Sequence, residues 1–493
     1  MRPLVLILSP LIAGTLTCFI PNKIINRILL VCLSLGHAGV LLSLWIIPEP
    51  PNTGNWIHLD QTGLFFLSIA SLLFLASSVY SLKYLQQESV YSSFPDHREG
   101  DSSKKNEKLF LGCMHFFLSS MSLVTMSQHI GILWVAMEAT TLSTAPLIYF
   151  NKNSRSLEAT WKYLVICSVG IALGLLGNIF ISVSACQTGQ TASSLLFPGM
   201  ISRAIHFKTI WLKTAFIFFL VGYGTKMGLA PFHTWLPDAH SEAPSPVSAL
   251  LSGALLNCAF LSLLRIYSIA SAAGLASFAQ DLFRLFGILS LIFSSIFILG
   301  QNNYKRMLAY SSVEHMGILI FGIGLGGLGA WGSIFHVLNH SFVKAALFLI
   351  SGNILTAYKT KSINKIQGIL HHSPLTGILW LAGLFAISGM PPFGTFFSKF
   401  MILQEALRQQ LLWQTILFLF FLSVIFISMS KTILFMSQGE RCHLEVKTTS
   451  LSEFICAVLP PLLLLSWILL LGFYLPDFLR NTITEITQQL RAG

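Results

Sequence analysis

The chain has 493 residues, of which 54% are hydrophobic and only 10% charged, with 39 phenylalanines and a mean hydropathy of +0.72. Those proportions exclude a water-soluble globular domain and define an all-α polytopic membrane protein. The formal charge is +11, from 30 Lys and Arg against 19 Asp and Glu.

Apolar runs long enough to cross a bilayer as helices fall near 3–20, 28–47, 61–82, 109–126, 130–149, 160–183, 209–230, 245–270 and 282–300. Five more lie near 306–328, 331–357, 375–403, 412–436 and 454–474, which predicts about 14 transmembrane helices. The first run has only Arg2 as a basic flank and no small-residue cleavage site before Pro21, so it reads as a span. Residues 86–108, rich in Ser and in mixed charge, read as a solvated loop.

With loops on alternate sides, Lys23, Arg27, Lys83, Arg98, Lys104, Lys105, Lys108, Lys152, Arg155, Lys305, Arg306, Lys359, Lys361, Lys365, Arg441 and Lys447 gather on one side. Seven others (Arg2, Arg203, Lys208, Arg284, Arg408, Arg480 and Arg491) take the opposite side. The imbalance predicts a cytoplasmic basic face, with both termini on the outer face of a cell inner membrane. The net charge is therefore a topology signal for a chain embedded in lipid, and nucleic-acid binding is excluded as its reading. Eight scattered cysteines without CxxC spacing argue against an iron-sulfur or zinc site.

In the seventh run TAFIFFLVGYGT precedes Lys226 and MGLAPFHTWLPDAH follows it. If the run is helical from an interfacial Lys213, Lys226 lies about 20 Å into a core about 30 Å thick. An ammonium there needs a partner, water, or a route to lose its proton. Pro231 removes a backbone donor just beyond it and breaks the helix. Irregular backbone at that depth is tolerated only where protein or water satisfies it, as along an ion pathway.

Polar residues inside the spans recur. Glu138 to Glu314 is 176 residues, Lys162 to Lys344 is 182, and Lys226 to Lys399 is 173, while Pro231-Phe232 answers Pro392-Phe393 after 161. The spacing predicts two five-helix units, 109–270 and 282–436, each with a broken helix. An odd helix number inverts the second unit, a transporter architecture. A three-helix segment with its loop, 1–108, precedes them, and a helix with a tail, 437–493, follows.

Glu138 is the expected partner of Lys226, either as a proton-exchanging pair or as a static one that fixes helix register. His336, His340 and Lys344 stand four residues apart on one helix face and form a row of titratable groups. Glu314, with His315, is a weaker addition on the preceding span. Lys162 follows Glu158 by four residues, so a snorkelling lysine with a surface ion pair fits as well as a buried station. Lys399 follows the second break, but Glu405 and Arg408 lie within its reach. Asp238, His240 and Glu242 are candidates for the mouth of the pathway.

HxxxH lacks a third ligand at convincing spacing, so no metal is expected. Gly322, Gly324 and Gly327 form a GxGxxG inside an apolar span with no preceding strand, which reads as helix packing. No P-loop, HExxH or nucleophile elbow occurs, so no cofactor or catalytic residue is expected.

The segments KMGLAPFHTWLPDAHSEAPSPVSALLSG, NNYKRMLAYSSVEHMGI and HVLNHSFVKAALFLISGNI closely resemble the antiporter-like membrane subunits of the respiratory complex I family. AHSEAPSPVSALL, SLEATWKYLVICSVGIALGLLG and SSVEHMG look most like hydrogenase-4 component F and its relatives in membrane-bound hydrogenase complexes. The resemblance implies a proton channel. Its roles fall on Glu138 and Lys226 in the first half, on His336, His340 and Lys344 in the centre, and on Lys399 in the second broken helix. It also implies partners: further membrane subunits and a peripheral hydrogenase-like or dehydrogenase arm that performs the redox reaction. Asn257 stands where many relatives carry a titratable Lys or His, and the chain stops soon after its last span, as in the shorter internal subunits. Two other readings stay open, a subunit of a multisubunit sodium/proton antiporter and a structural membrane subunit with static ion pairs.

Overall fold

A computed structural model describes residues 2–48, 55–91, 100–186, 195–439 and 450–492. Among these, the regular elements are all helices, joined by isolated bridges such as Ile57 with Ser127 and Asn303 with Ser362. In chain order the main ones, short connecting helices such as Phe197–Arg203 and Ile369–His372 apart, are α1 (Arg2–Phe19), α2 (Lys23–Ile46), α3 (Gln61–Tyr91), α4 (Gly100–Met126), α5 (Ile130–Ile148), α6 (Ser154–Cys186), α7 (Thr209–Met227) and α8 (Trp235–Glu242). Then come α9 (Ser245–Ala272), α10 (Ala276–Ile298), α11 (Tyr304–Leu325), α12 (Gly327–Tyr358), α13 (Pro374–Ser388), α14 (Gly394–Arg408), α15 (Leu412–Ser437), α16 (Leu451–Phe473) and α17 (Asp477–Ala492).

Twelve of the described helices are long and apolar enough to cross a membrane. The expected runs near 209–230 and 375–403 are not among these twelve; they fall on the interrupted helices, α7 with α8 and α13 with α14. The seventh span does not end at residue 230 as expected. Its helix stops at Met227 and resumes at Trp235, so much of the expected mouth loop is the helix α8. The loop expected at 86–108 is shorter too, because α3 continues to Tyr91 and α4 begins at Gly100. Arg98, Arg441, Lys447 and Cys442 lie outside the described residues.

The sequence caps several helices locally. Asn22 Oδ1 accepts from the Ile24 and Ile25 amides, and Asn303 Oδ1 from those of Lys305 and Arg306, which satisfies donors that a first helical turn leaves free. Glycines then let backbones approach. A Cβ at Gly222 would come within 2.7 Å of the Gly170 carbonyl, and one at Gly287 within 2.9 Å of that of Gly317. These contacts lock α6 against α7 and α10 against α11 where lipid supplies no hydrophobic drive.

Each of the helices α9, α11 and α12 has an 18-residue stretch that is wholly buried, whereas α2 and α15 expose most of their surface. The centre of the bundle thus belongs to the helices that carry Asn257, Glu314 and the His336 row. Lys305, Arg306 and Lys361 meet α8 at one end, where Asn303 pairs with Ser362. Beyond the last span the expected tail is an amphipathic helix, α17. It buries Ile483, Ile486 and Leu490, and its Thr484 accepts a hydrogen bond from Trp331 Nε1.

Gly472 of α16 lies against the second break, where a Cβ would fall 1.6 Å from the Pro392 carbonyl oxygen. Gly472→Ala is expected to cost about 1–3 kcal/mol by overpacking, read as a lower thermal midpoint of the detergent-purified protein with the fold retained.

Candidate functional site

The two breaks are built alike. α7 ends on Gly228 and α13 on Gly389, both with φ of +80°, the left-handed cap that glycine adopts without a Cβ clash. In each case a proline follows three residues later, Pro231 or Pro392, after a cis peptide bond. Trp235 Nε1 donates back across the first gap to the Thr225 carbonyl (2.9 Å), and Thr395 Oγ1 donates across the second to that of Ala386.

A half-helix that stops inside the bundle leaves its last carbonyls without amide partners and its negative dipole end in place. A lysine occupies both ends. Lys226 belongs to the last turn of α7. Lys399 starts from α14, but its Nζ reaches back to the carbonyls of Ile387 and Ser388 at the end of α13, 3.3 Å from each. A Cβ on Gly389 would stand 3.0 Å from the Lys399 stem, so this glycine both turns the chain and clears the side chain's route.

Lys226 is fully buried. Its Nζ donates to Thr141 Oγ1 and to Tyr163 OH, 2.8 Å each, and lies 4.8 Å from the Tyr163 ring centre. The expected direct pair with Glu138 is absent. Thr141 follows Glu138 by three residues on the same face of α5, so its hydroxyl stands between ammonium and carboxylate, 3.5 Å from Glu138 Oε2. Ser168 Oγ donates to the other carboxylate oxygen at 2.9 Å. In the second half the equivalent contact is direct, with Lys399 Nζ 3.3 Å from Glu314 Oε1. Lys399 does not turn towards Glu405, which is held by Arg408 and Gln409. Glu314, the weaker candidate in the sequence, is therefore a partner in the site.

His336, His340 and Lys344 lie on one buried face of α12, as their spacing predicts. His315 joins them: its Nδ1 is 2.8 Å from His336 Nε2, and its ring centre is 4.9 Å from that of His340. His336 Nδ1 in turn meets Ser398 Oγ at 2.8 Å, one residue before Lys399. Lys344 Nζ donates to the Leu308 carbonyl at 2.7 Å and to Ser311 Oγ. Glu314 and His315 are adjacent in the chain, so α11 carries one group of the ion pair and one of the histidine cluster.

Between the halves, Asn257 Nδ2 donates to Ser341 Oγ at 2.6 Å, on the helix that carries His340 and Lys344. His240 is fully buried there as well. Its ring stacks 5.5 Å from Phe348, one turn beyond Lys344, and 6.3 Å from Trp235, which itself packs 5.0 Å from Tyr163. The sequence placed His240 at a mouth because the return of the chain as α8 was not visible in it.

Lys162 does not join this file. Its side chain is 44% exposed and pairs with Glu158 (2.6 Å) and Asp238 (3.0 Å), the snorkelling arrangement that competed with a buried station. Asp238 also holds Arg306 at 3.1 Å, Glu242 holds Lys361 at 2.9 Å, and buried Lys305 donates to the Ala243 carbonyl at 2.9 Å. Asp238 and Glu242 thus stand together at the end of α8, ringed by cations. Among the described residues no group of His, Cys, Asp and Glu is arranged to hold a metal ion.

Fold and site together define a multi-pass membrane protein with two broken helices, each presenting a lysine to a half-helix end at the bundle centre. The chain belongs to the NADH:quinone oxidoreductase/Mrp antiporter transmembrane family, whose pattern matches residues 127–426. It is 34% identical over 366 residues to a hydrogenase-4 component F homolog of Methylacidiphilum infernorum, covering 74% of this chain and 75% of the relative. Its fold matches a chain of the archaeal membrane-bound sulfane sulfur reductase with a TM-score of 0.85, at 22% identity over 99% of this chain and 97% of the other. It also matches one of the Mrp complex from Dietzia sp. DQ12-45-1b with a TM-score of 0.81, at 16% identity over 100% and 96%. The protein is an antiporter-like membrane subunit of the kind found in complex I and hydrogenase-type assemblies.

Removing one member of a buried ion pair strands the other charge, at a cost on the order of 3 kcal/mol. Glu314→Gln is expected to lower the thermal midpoint more than the double replacement Glu314→Gln with Lys399→Met. Equal losses in the two variants would show that leaving the Lys399 ammonium without its carboxylate carries no cost.

Proposed function

We propose that the chain translocates protons across the cell inner membrane, as one subunit of a complex whose redox reaction takes place in a peripheral hydrogenase-like or dehydrogenase arm. The observation that carries this reading is the series of titratable and hydroxyl groups, most of them buried, that lies between the two breaks. It begins at Glu138, passes through Thr141 to Lys226, and crosses near His240 and the Asn257–Ser341 bond. It continues through Lys344, His340, His315 and His336 to Ser398, and ends at Lys399 with Glu314. Such groups are rare and costly in a bilayer and mark proton relays. A static framework would need partners for the ammonium groups, but not three neighbouring imidazoles in series.

In this reading residues 109–270 and 282–436 are two inverted units, and the similar construction of the breaks at Gly228 and Gly389 supports the duplication. The basic face is cytoplasmic and both termini lie outside, from the excess of Lys and Arg in alternate loops. Asp238 and Glu242 line the cytoplasmic mouth, where Lys162 takes part as a partner of Asp238. Thr141 is the hydroxyl through which Glu138 and Lys226 exchange a proton, so the pair works without direct contact.

Lys226→Ala in the assembled complex is expected to abolish proton uptake into membrane vesicles; unchanged uptake with assembly intact would overturn the channel. Thr141→Val is expected to slow uptake about tenfold, the worth of one hydrogen bond of about 1.4 kcal/mol, while Thr141→Ser keeps most of the rate. The likeness to the Mrp chain supports a second reading, a sodium/proton antiporter subunit. Transport that requires sodium in the same vesicles would favour it.

A further inference from the structure

A cavity of about 250 Å3 opens at the end of the bundle remote from Asp238 and Glu242, lined by Tyr267, Gln280, Glu405, Arg408, Gln409 and Thr487 among others. Its walls come from α9, α10, α14 and α17, and its floor from the turn Leu325 to Gly327. Liquid water takes about 30 Å3 per molecule, so the space holds several waters among polar partners. Glu405 is the acidic side chain in this lining. It is 1% exposed and held by Arg408 and Gln409, and Gln409 is fixed in turn to the Leu325 carbonyl.

The cavity sits on the same half-helix as Lys399. Glu405 follows Lys399 by six residues on α14, an axial rise of about 9 Å. Between them the chain buries Ile402 completely, in an apolar cluster with Ile318, Phe321, Leu325 and Phe418. Ile402 fits a notch made by two glycines: a Cβ on Gly322 would lie 3.0 Å from its Cγ1, and one on Gly332 3.2 Å. The GxGxxG glycine at 322 therefore serves to seat this plug.

We propose that this cavity is the outer aqueous mouth of the second half, that it takes water and the hydrated proton, and that Ile402 is the apolar plug separating it from Lys399. The step is a proton transfer in which no electrons move. The Lys399 ammonium gives its proton to a water that enters when the plug wets and is left a neutral amine. The Glu405 carboxylate accepts the proton from that water as a carboxylic acid and releases it to water in the cavity. Apolar constrictions of this kind open and close by wetting. The wall supplied by Thr487 and Leu490 makes α17 part of the mouth.

The proposal rests on Lys399 being a proton station, so its test separates access from transport. Gln280→Cys in the assembled complex, in sealed vesicles of either orientation, is treated with a membrane-impermeant sulfonated thiol reagent and followed by mass spectrometry at position 280. Labelling is expected only when the reagent meets the face opposite Glu242, with proton uptake falling several-fold on labelling. No labelling, or labelling from the other face only, would overturn the aqueous mouth, whatever Lys226→Ala does. Labelling without any change in an uptake that Lys226→Ala abolishes would overturn its place in the pathway. Glu405→Gln is expected to slow uptake several-fold and Glu405→Asp to restore part of it; full uptake in Glu405→Gln would remove the carboxylate from the route.

Discussion

An ammonium buried among apolar helices has to be met by oxygen, and this fold is arranged around that demand. Lys226, Lys344 and Lys399 draw on three kinds of oxygen: hydroxyls on neighbouring helices, main-chain carbonyls and a carboxylate. The carbonyls at a half-helix end become available because a glycine in the left-handed conformation and a proline stop the helix there. Without the breaks, those carbonyls would be spent on helical hydrogen bonds. At the second break, helix end and lysine are thus one feature, whereas Lys226 at the first takes its oxygens from hydroxyls, and the glycine contacts at 222, 389 and 472 hold the pieces in register.

The two halves meet this demand differently. In the second, carboxylate and ammonium touch, so the charges neutralise each other directly. In the first, a threonine hydroxyl stands between them and a tyrosine shares the ammonium. A hydroxyl both accepts and donates, so it can pass a proton on while keeping the charges apart. The central histidines form a polar core with mutual contacts, a costly arrangement to bury unless it has a use.

Much of this was legible in the chain. Hydropathy marked the spans, and the recurrence of Pro-Phe after 161 residues located both breaks, because proline stops helices by a local mechanism that sequence records. The helical period put His336, His340 and Lys344 on one face. Contacts between helices were not legible. Nothing local says that Thr141 would stand in front of Glu138, that His315 would meet His336, or that Lys162 would find Asp238, 76 residues away. Buried Lys305 reads as a loop charge in the sequence because its partner, the Ala243 carbonyl, is main chain and carries no sequence signal. His240 reads as a loop residue at a mouth because helix α8 is only eight residues long and polar, below what periodicity detects.

The central claim is that the buried groups change protonation during turnover and do not merely neutralise one another. Infrared difference spectroscopy on the working complex addresses it at Glu138. A carboxylic acid C=O band is predicted to appear between resting and turnover states and to vanish in Glu138→Gln. A spectrum in which Glu138 contributes no protonation change while the complex still transports protons would contradict the account.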